Sequence, residues 1–145
     1  MQTAPLSDDE IRELLLQQPL IAKLATQAPD GTIRITPLWF GPRDGAIFFN
    51  TWENSEAVEN LRKGDTASVM IDSTESPYYG VHFWGTATVE GPKDDAEGMA
   101  DLFSPYFGGD REASLDYTRG LVSMSTRVYV RFEAQRQVTW DFRQA

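Results

Sequence analysis

Cysteine is absent from the 145-residue sequence, and histidine occurs once, at His82. Without cysteine there is no disulfide framework, no thiolate metal site and no cysteine nucleophile. One imidazole, with carboxylates that lack calcium-loop spacing, gives no metal centre to expect. No apolar run approaches the roughly 18 to 20 residues of a membrane span. Met1 to Glu10 lacks a basic n-region and an apolar h-region, so no secretory signal is expected. The missing cysteines agree with a cytoplasmic protein. Positive charge is scarce as well: 13 Lys and Arg face 22 Asp and Glu, a formal net charge of −9. Nucleic acids and anionic membranes are both held by basic side chains, so neither is an expected partner. A small anionic ligand stays compatible, because a few local groups or a helix N-terminus can hold it.

What is present suits one folded domain over residues 1–145, with 41% hydrophobic residues, eight Phe, five Tyr and four Trp. Ser7-Asp8-Asp9-Glu10 reads as a capping box, followed by Ile11, Leu14 and Leu15 on one helical face and stopped by Pro19. This helix is expected to cover an open end of a barrel. Strand signals follow: Leu20 to Gln27, the turn Ala28-Pro29-Asp30-Gly31, Ile33 to Phe40, the turn Gly41 to Gly45, and Ala46 to Asn50. Asn54 and Ser55 are N-caps for a helix running to Gly64. Alternation returns in Ala67 to Ile71 and in Tyr79 to Val89, with Val81, Phe83, Gly85 and Ala87 on one face and His82, Trp84, Thr86 and Thr88 on the other. A helical stretch from Asp94 to Phe107 precedes a short helix over Glu112 to Thr118. Arg127 to Phe132, a turn, and Gln137 to Phe142 close the chain. Six or seven strands with short interposed helices predict a mainly β, closed barrel with helices at its rim.

Several chemistries find no support. His82 lies within a strand, nothing resembles a nucleophile elbow, and neither a Walker A motif nor a Gly-x-Gly-x-x-Gly turn occurs. Asp8-Asp9 and Asp94-Asp95 sit at helix starts, where the macrodipole accounts for them. The region Thr32 to Lys63 is different. Pro37 must break the hydrogen-bond ladder of its strand, which puts it at an edge, at a bulge or beside a ligand. Backbone groups freed there can read the polar rim of a planar ring, with Trp39 as an apolar wall. Thr51, Asn54 and Ser55 gather at a helix N-terminus, where a phosphate can bind.

Ala22-Lys23-Leu24-Ala25-Thr26, Pro29-Asp30-Gly31, Thr36-Pro37-Leu38-Trp39-Phe40, Asp44-Gly45, Thr51 and Asn60-Leu61-Arg62 occur in order, followed by Pro77 to Val81, Gly85-Thr86-Ala87 and Val138 to Arg143. This ordered set resembles the pyridoxamine 5'-phosphate oxidase-like split-barrel family, and within it the actinobacterial flavin- and deazaflavin-dependent oxidoreductases. The resemblance implies a six-stranded antiparallel split β-barrel with short flanking helices. It also implies a homodimer with cofactor sites at the subunit interface, and FMN or coenzyme F420 as cofactor. Carried over by position, it nominates Thr36, Pro37, Leu38 and Trp39 for the ring and Thr51, Asn54 and Ser55 for the phosphate. Asn60 and Arg62 match the helix pattern, with helix-end capping and a solvated cation as the alternative roles.

The sequence departs from that pattern at one place. Where deazaflavin-binding relatives carry an Arg/Lys pair, it reads Ser55-Glu56-Ala57. A carboxylate beside a phosphate is repulsive, and each lost charge-assisted hydrogen bond is worth roughly 1.5–3 kcal/mol. Arg34, Arg43, Lys63 or an arginine of a partner subunit are the groups that can compensate. The leading expectation is hydride transfer from the reduced cofactor to a small organic substrate, with Tyr79, His82, Trp84 and the Phe103 to Phe107 segment lining a substrate pocket or packing a core or dimer contact. The second is a non-catalytic flavin or haem carrier or sensor, with His82 as the sole imidazole for an axial bond. The third is a degenerate barrel that serves only as a dimeric interaction module.

Overall fold

The computed structural model describes residues 5–143, so residues 1–4 of the expected non-signal N-terminus lie outside it. Seven strands form one antiparallel sheet: β1 (Ala22–Gln27), β2 (Ile33–Leu38), β3 (Phe40–Arg43), β4 (Ala46–Trp52), β5 (Thr66–Asp72), β6 (Tyr79–Glu90) and β7 (Arg127–Asp141). Their order across the sheet is β2-β1-β5-β6-β7-β4-β3. The two outermost strands, β2 and β3, are consecutive in the chain and separated only by Trp39. A single bent segment therefore joins both edges of the sheet and closes it. Counted that way, the expected six-stranded split barrel is what the chain forms.

Local chemistry explains most elements. Helix α1 (Asp8–Ile11) begins with the expected capping box, Ser7 and Glu10 satisfying each other's backbone N–H groups, and continues through a wider turn, Arg12–Leu16. Ile11 and Leu15 are buried against one end of the barrel. Asp44 and Gly45 both have positive φ, as a two-residue β3–β4 hairpin demands. Helix α2 (Glu56–Lys63) is capped by Ser55 and buries Ala57, Val58 and Leu61 in the barrel core. Between them, Leu24, Phe49, Val69, Ile71, Val81, Val130 and Phe132 fill the interior from alternate positions of five strands.

Three boundaries differ from the sequence reading. The expected strand Ile33 to Phe40 ends at Leu38, and the expected turn Gly41 to Gly45 is mostly strand β3, because the chain bends at Trp39 to pair Phe40–Arg43 with β4. The second late helix, α4 (Arg111–Met124), runs well past Thr118. Ser114 and Thr118 donate their hydroxyls to the Ala100 and Ala96 carbonyls of α3 (Ala96–Phe103), and that tertiary bonding carries the helix through Gly120. The expected turn between Phe132 and Gln137 is a β-bulge inside one long strand. There Trp84 faces Arg136 and Gly85 faces Ala134, leaving Gln135 as the extra residue. A Cβ at Gly85 would come 2.0 Å from the Glu133 carbonyl oxygen, so only glycine admits this approach.

The outside of the barrel is covered unevenly. Helices α3 and α4 pack on one side, where Phe48, Tyr129, Met99, Leu102 and Phe103 form a second apolar cluster. The outer face of β2, β1, β5 and β6 has no helix over it among the described residues. Two rungs cross it in register: Pro37, Lys23, Met70, His82, Val138, and Ile35, Ala25, Ser68, Trp84, Arg136. Ile33 and Ile35 are 56% and 63% exposed. No helix among the described residues is long and apolar enough to cross a membrane.

The two ends of the described chain are clasped together. Arg143 donates to both carboxylate oxygens of Asp141, at 2.9 and 2.8 Å, and to Glu10 at 3.1 Å. The Arg143 side chain, then its backbone N–H, holds the Asp141 carboxyl down at about 2. A depressed carboxyl stabilises the fold above its unfolded value and loses that contribution as pH falls through the folded one. Asp141→Asn is therefore expected to lower the melting temperature at neutral pH. The gap from wild type should close as pH drops from about 4 towards about 2, which thermal melts of both proteins across that range will check.

Candidate functional site

The break at Trp39 is held by Tyr106, from the 3-10 turn Ser104–Phe107 after α3. The Tyr106 hydroxyl accepts from the Phe40 N–H at 3.0 Å and donates to the Leu20 carbonyl at 2.6 Å. Its ring stacks on Trp39 with centroids 4.3 Å apart and planes 10° from parallel. Phe103, Phe107 and Tyr117 surround the same indole at 5.4–5.8 Å. Burial pushes the Tyr106 phenol up to about 12, so it stays a hydroxyl throughout the working pH range.

Beside this aromatic cluster opens a cleft of about 390 Å³, lined by Pro37, Leu38 and Trp39, with Ile21, Phe103, Tyr117 and Leu121 as further apolar wall. Its polar corner is Asn50 on β4 and Arg127 at the start of β7. Arg127 donates to the Asn50 side-chain oxygen at 3.0 Å, to the Asn50 carbonyl at 3.4 Å and to Ser125 at 3.3 Å. No carboxylate lies within ion-pair distance of it among the described residues, and burial lowers its pKa. The side-chain nitrogen of Asn50 and the hydroxyl of Thr36 are buried with no hydrogen-bond partner. An apolar, aromatic-walled slot with one polar corner is the usual form of a site for a planar ligand.

The nominated residues divide between places. Pro37, Leu38 and Trp39 line the cleft, and Thr36 precedes them with its buried hydroxyl. β2 is an edge strand, as Pro37 requires. Thr51 is buried opposite Val128, on the face of β4 away from Asn50. Asn54 is exposed in the turn before α2, and the Ser55 hydroxyl accepts from the Val58 N–H. Asn60 donates to the Thr26 hydroxyl at 3.1 Å and ties α2 to β1. None of these four lines the cleft, and neither does Arg62, 3.6 Å from Glu53.

The candidate compensating cations are also engaged. Arg34 lies 3.5 Å from Glu56 and Lys63 3.3 Å from Glu59. Arg43 stacks on Phe48 and Tyr129 and donates to the Gly98 carbonyl. Around α2, each cation thus has its own carboxylate. The expected substrate trio also separates: His82 and Trp84 pack together on the uncovered outer face, centroids 3.9 Å apart and planes tilted by 39°, while Tyr79 packs against the barrel core. Burial, then the charge of Arg136, lowers the His82 pKa and keeps its imidazole neutral near pH 7.

Sequence reasoning missed Asn50, Arg127, Ile21, Tyr117 and Leu121. Asn50 and Arg127 are 77 residues apart and meet only through β4–β7 pairing, which no local motif announces. Tyr117 and Leu121 were legible as an i, i+4 pair once α4 is extended past Gly120.

Comparison with known proteins agrees with this geometry. The sequence model of the family described as pyridoxamine 5'-phosphate oxidase matches residues 7–138. No curated protein matches the chain. Among solved structures, a conserved hypothetical protein, Rv2991, from Mycobacterium tuberculosis is 26% identical, with a TM-score of 0.78 over 99% of this chain and 89% of its own. An F420 reductase is 19% identical, with a TM-score of 0.62 over 86% of this chain and 94% of its own. The haem storage protein HutZ from Vibrio cholerae is 18% identical, with a TM-score of 0.67 over 91% and 94%.

The Tyr106 staple can be tested directly. Tyr106→Phe keeps the stack on Trp39 and leaves the Phe40 N–H and Leu20 carbonyl without their partner. A loss of about 1–3 kcal/mol is expected, seen as a fall of roughly 3–10 °C in melting temperature together with a shifted tryptophan emission.

Proposed function

This chain belongs to the pyridoxamine 5'-phosphate oxidase family, and on that premise we propose that it is an oxidoreductase that binds a flavin or deazaflavin, FMN or coenzyme F420. Family membership does not carry the oxidase reaction itself, since one fold hosts many chemistries. The observation that carries the reading is the cleft along Pro37, Leu38 and Trp39, with the unpartnered side-chain nitrogen of Asn50. Those groups suit a planar ring whose body is apolar and whose rim bears hydrogen-bonding atoms. When bound, such a ring supplies hydride transfer to a small organic substrate. The protein holds the ring against Trp39, offers donors to its polar rim, and keeps water out with the Phe103, Tyr117 and Leu121 wall.

In this reading the whole chain, 1–145, works as one split-barrel unit and pairs with a second copy. The uncovered rungs through Ile35 and Pro37 support that pairing, because Pro37 belongs both to the outer face and to the cleft. A second copy packed there would close the ring site. The neutralised α2 surface weighs against a strong phosphate clamp at Thr51, Asn54 and Ser55, so affinity for the ring should outweigh affinity for the tail.

Titration with FMN and with coenzyme F420 tests the proposal. Saturable quenching of tryptophan emission is expected for one of them, with most of the quench lost in Trp39→Phe. No quench and no thermal shift with either cofactor would remove the flavin reading. Light scattering on wild type should give about twice the 16.3 kDa chain mass, and Ile35→Lys should give a monomer with weakened ring binding.

One observation favours a second reading, that of a haem carrier. His82 is a neutral imidazole on the uncovered face, in the form that ligates iron. Haem titration of wild type and His82→Ala decides it. A Soret band that shifts with the substitution supports His82 ligation, and an unchanged band removes it.

A further inference from the structure

We infer that Arg127 and Asn50 form a seat for an anionic oxygen of the bound ligand. A half-buried guanidinium has lost much of its hydration, and proteins normally return that cost with a carboxylate. Among the described residues, every one within hydrogen-bond reach of Arg127 is neutral: Asn50 and Ser125 supply two side-chain acceptors and one carbonyl. A guanidinium has five N–H donors, and these three bonds leave two of them free.

Asn50 adds a second, independent sign. It is 4% exposed, its oxygen is already taken by Arg127, and its NH₂ group has no partner. A buried amide donor left unmade costs roughly 1–3 kcal/mol in the free protein, which a ligand acceptor at that place would return. Both residues line the same cleft, whose other walls are apolar and aromatic. The ligand class that answers this pattern is a planar, largely apolar molecule with one carboxylate or phosphate oxygen at its edge.

The surroundings sharpen the assignment. The chain carries a net charge of −9, so bulk electrostatics do not draw anions to it. Around α2, where an anion would be expected from the sequence, Arg34, Arg62 and Lys63 each face a glutamate. Arg127 faces none. The inference stands on the cleft alone, and the flavin reading supplies only one of two sources for the anion, the cofactor phosphate. The other source is the carboxylate of an aromatic acid substrate.

Calorimetric titration of wild type and Arg127→Gln with two matched pairs separates these. FMN against riboflavin changes only the phosphate, and 2-naphthoate against 2-naphthamide changes only the carboxylate. If the cofactor phosphate occupies the seat, wild type binds FMN about tenfold to a hundredfold tighter than riboflavin and Arg127→Gln erases the preference. If a substrate carboxylate occupies it, the same difference appears in the naphthyl pair. Arg127→Lys should keep part of the preference and guards against a folding defect in the Gln variant. Equal affinity of wild type within both pairs overturns the inference. So does a preference that Arg127→Gln leaves intact. Should neither FMN nor riboflavin bind, FMN is removed as the cofactor while the naphthyl pair still decides the role of Arg127.

Discussion

The stack of Tyr106 beneath Trp39 is the interaction on which the rest of the molecule turns. A sheet of this order closes only if one segment leaves β2 at one edge and enters β3 at the other. That crossing frees backbone groups at the break, and the Tyr106 hydroxyl takes both the Phe40 N–H and the Leu20 carbonyl. Covering those groups with an aromatic side chain rather than water leaves a dry, flat surface beside the strand. The cleft is therefore a by-product of closure. The residue that lets the chain cross, Trp39, is also the wall on which a ring can lie.

Charge distribution separates two ideas that the sequence joins. Thr51, Asn54 and Ser55 next to a helix start look like a phosphate site in one dimension. In three dimensions, Thr51 turns into the barrel, the Ser55 oxygen is spent on its own helix, and the cations of α2 meet Glu53, Glu56 and Glu59. Those exposed pairs are each worth at most about 1 kcal/mol, yet they leave no uncompensated positive charge for an anion. Arg127, which has no carboxylate partner among the described residues, is on the other side of β4. Helix α2 is better understood as a plug of the barrel end, with Val58 and Leu61 inward and Asn60 bonded to Thr26.

How much of this was legible follows from how local each cause is. The capping box at Ser7, the Asp44-Gly45 hairpin and the break that Pro37 makes in its ladder were readable because a few adjacent residues determine them. Alternation also sorted β6 correctly, placing Val81, Phe83 and Ala87 inside and His82 and Trp84 outside. Reading failed where a distant partner decided the outcome. The short helix expected over Glu112 to Thr118 runs on to Met124, because the hydroxyls of Ser114 and Thr118, bonded to α3, hold α4 in place. Glu133 to Arg136 looked like a turn because it is polar, and became a bulge because Gly85 on β6 lets the strands stay paired. The Asn50–Arg127 corner belongs to this second kind, since it is made by strand register alone.

The uneven coat of the barrel links assembly to the site. Helices α3 and α4 shield the outer side of β3, β4 and β7, so the cleft has walls there without help. The opposite side is a broad sheet face with Ile33, Ile35 and Val138 at least half exposed. Pro37 sits where these two regions meet. Packing on the open face would thus press on the strand that borders the cleft, whereas packing on the helical side would not. A ligand lying along Pro37 to Trp39 would in turn add apolar surface at that seam. Were a second copy to pack there, assembly and ligand binding would draw on the same strand, and each would raise the stability of the other by ordinary linkage.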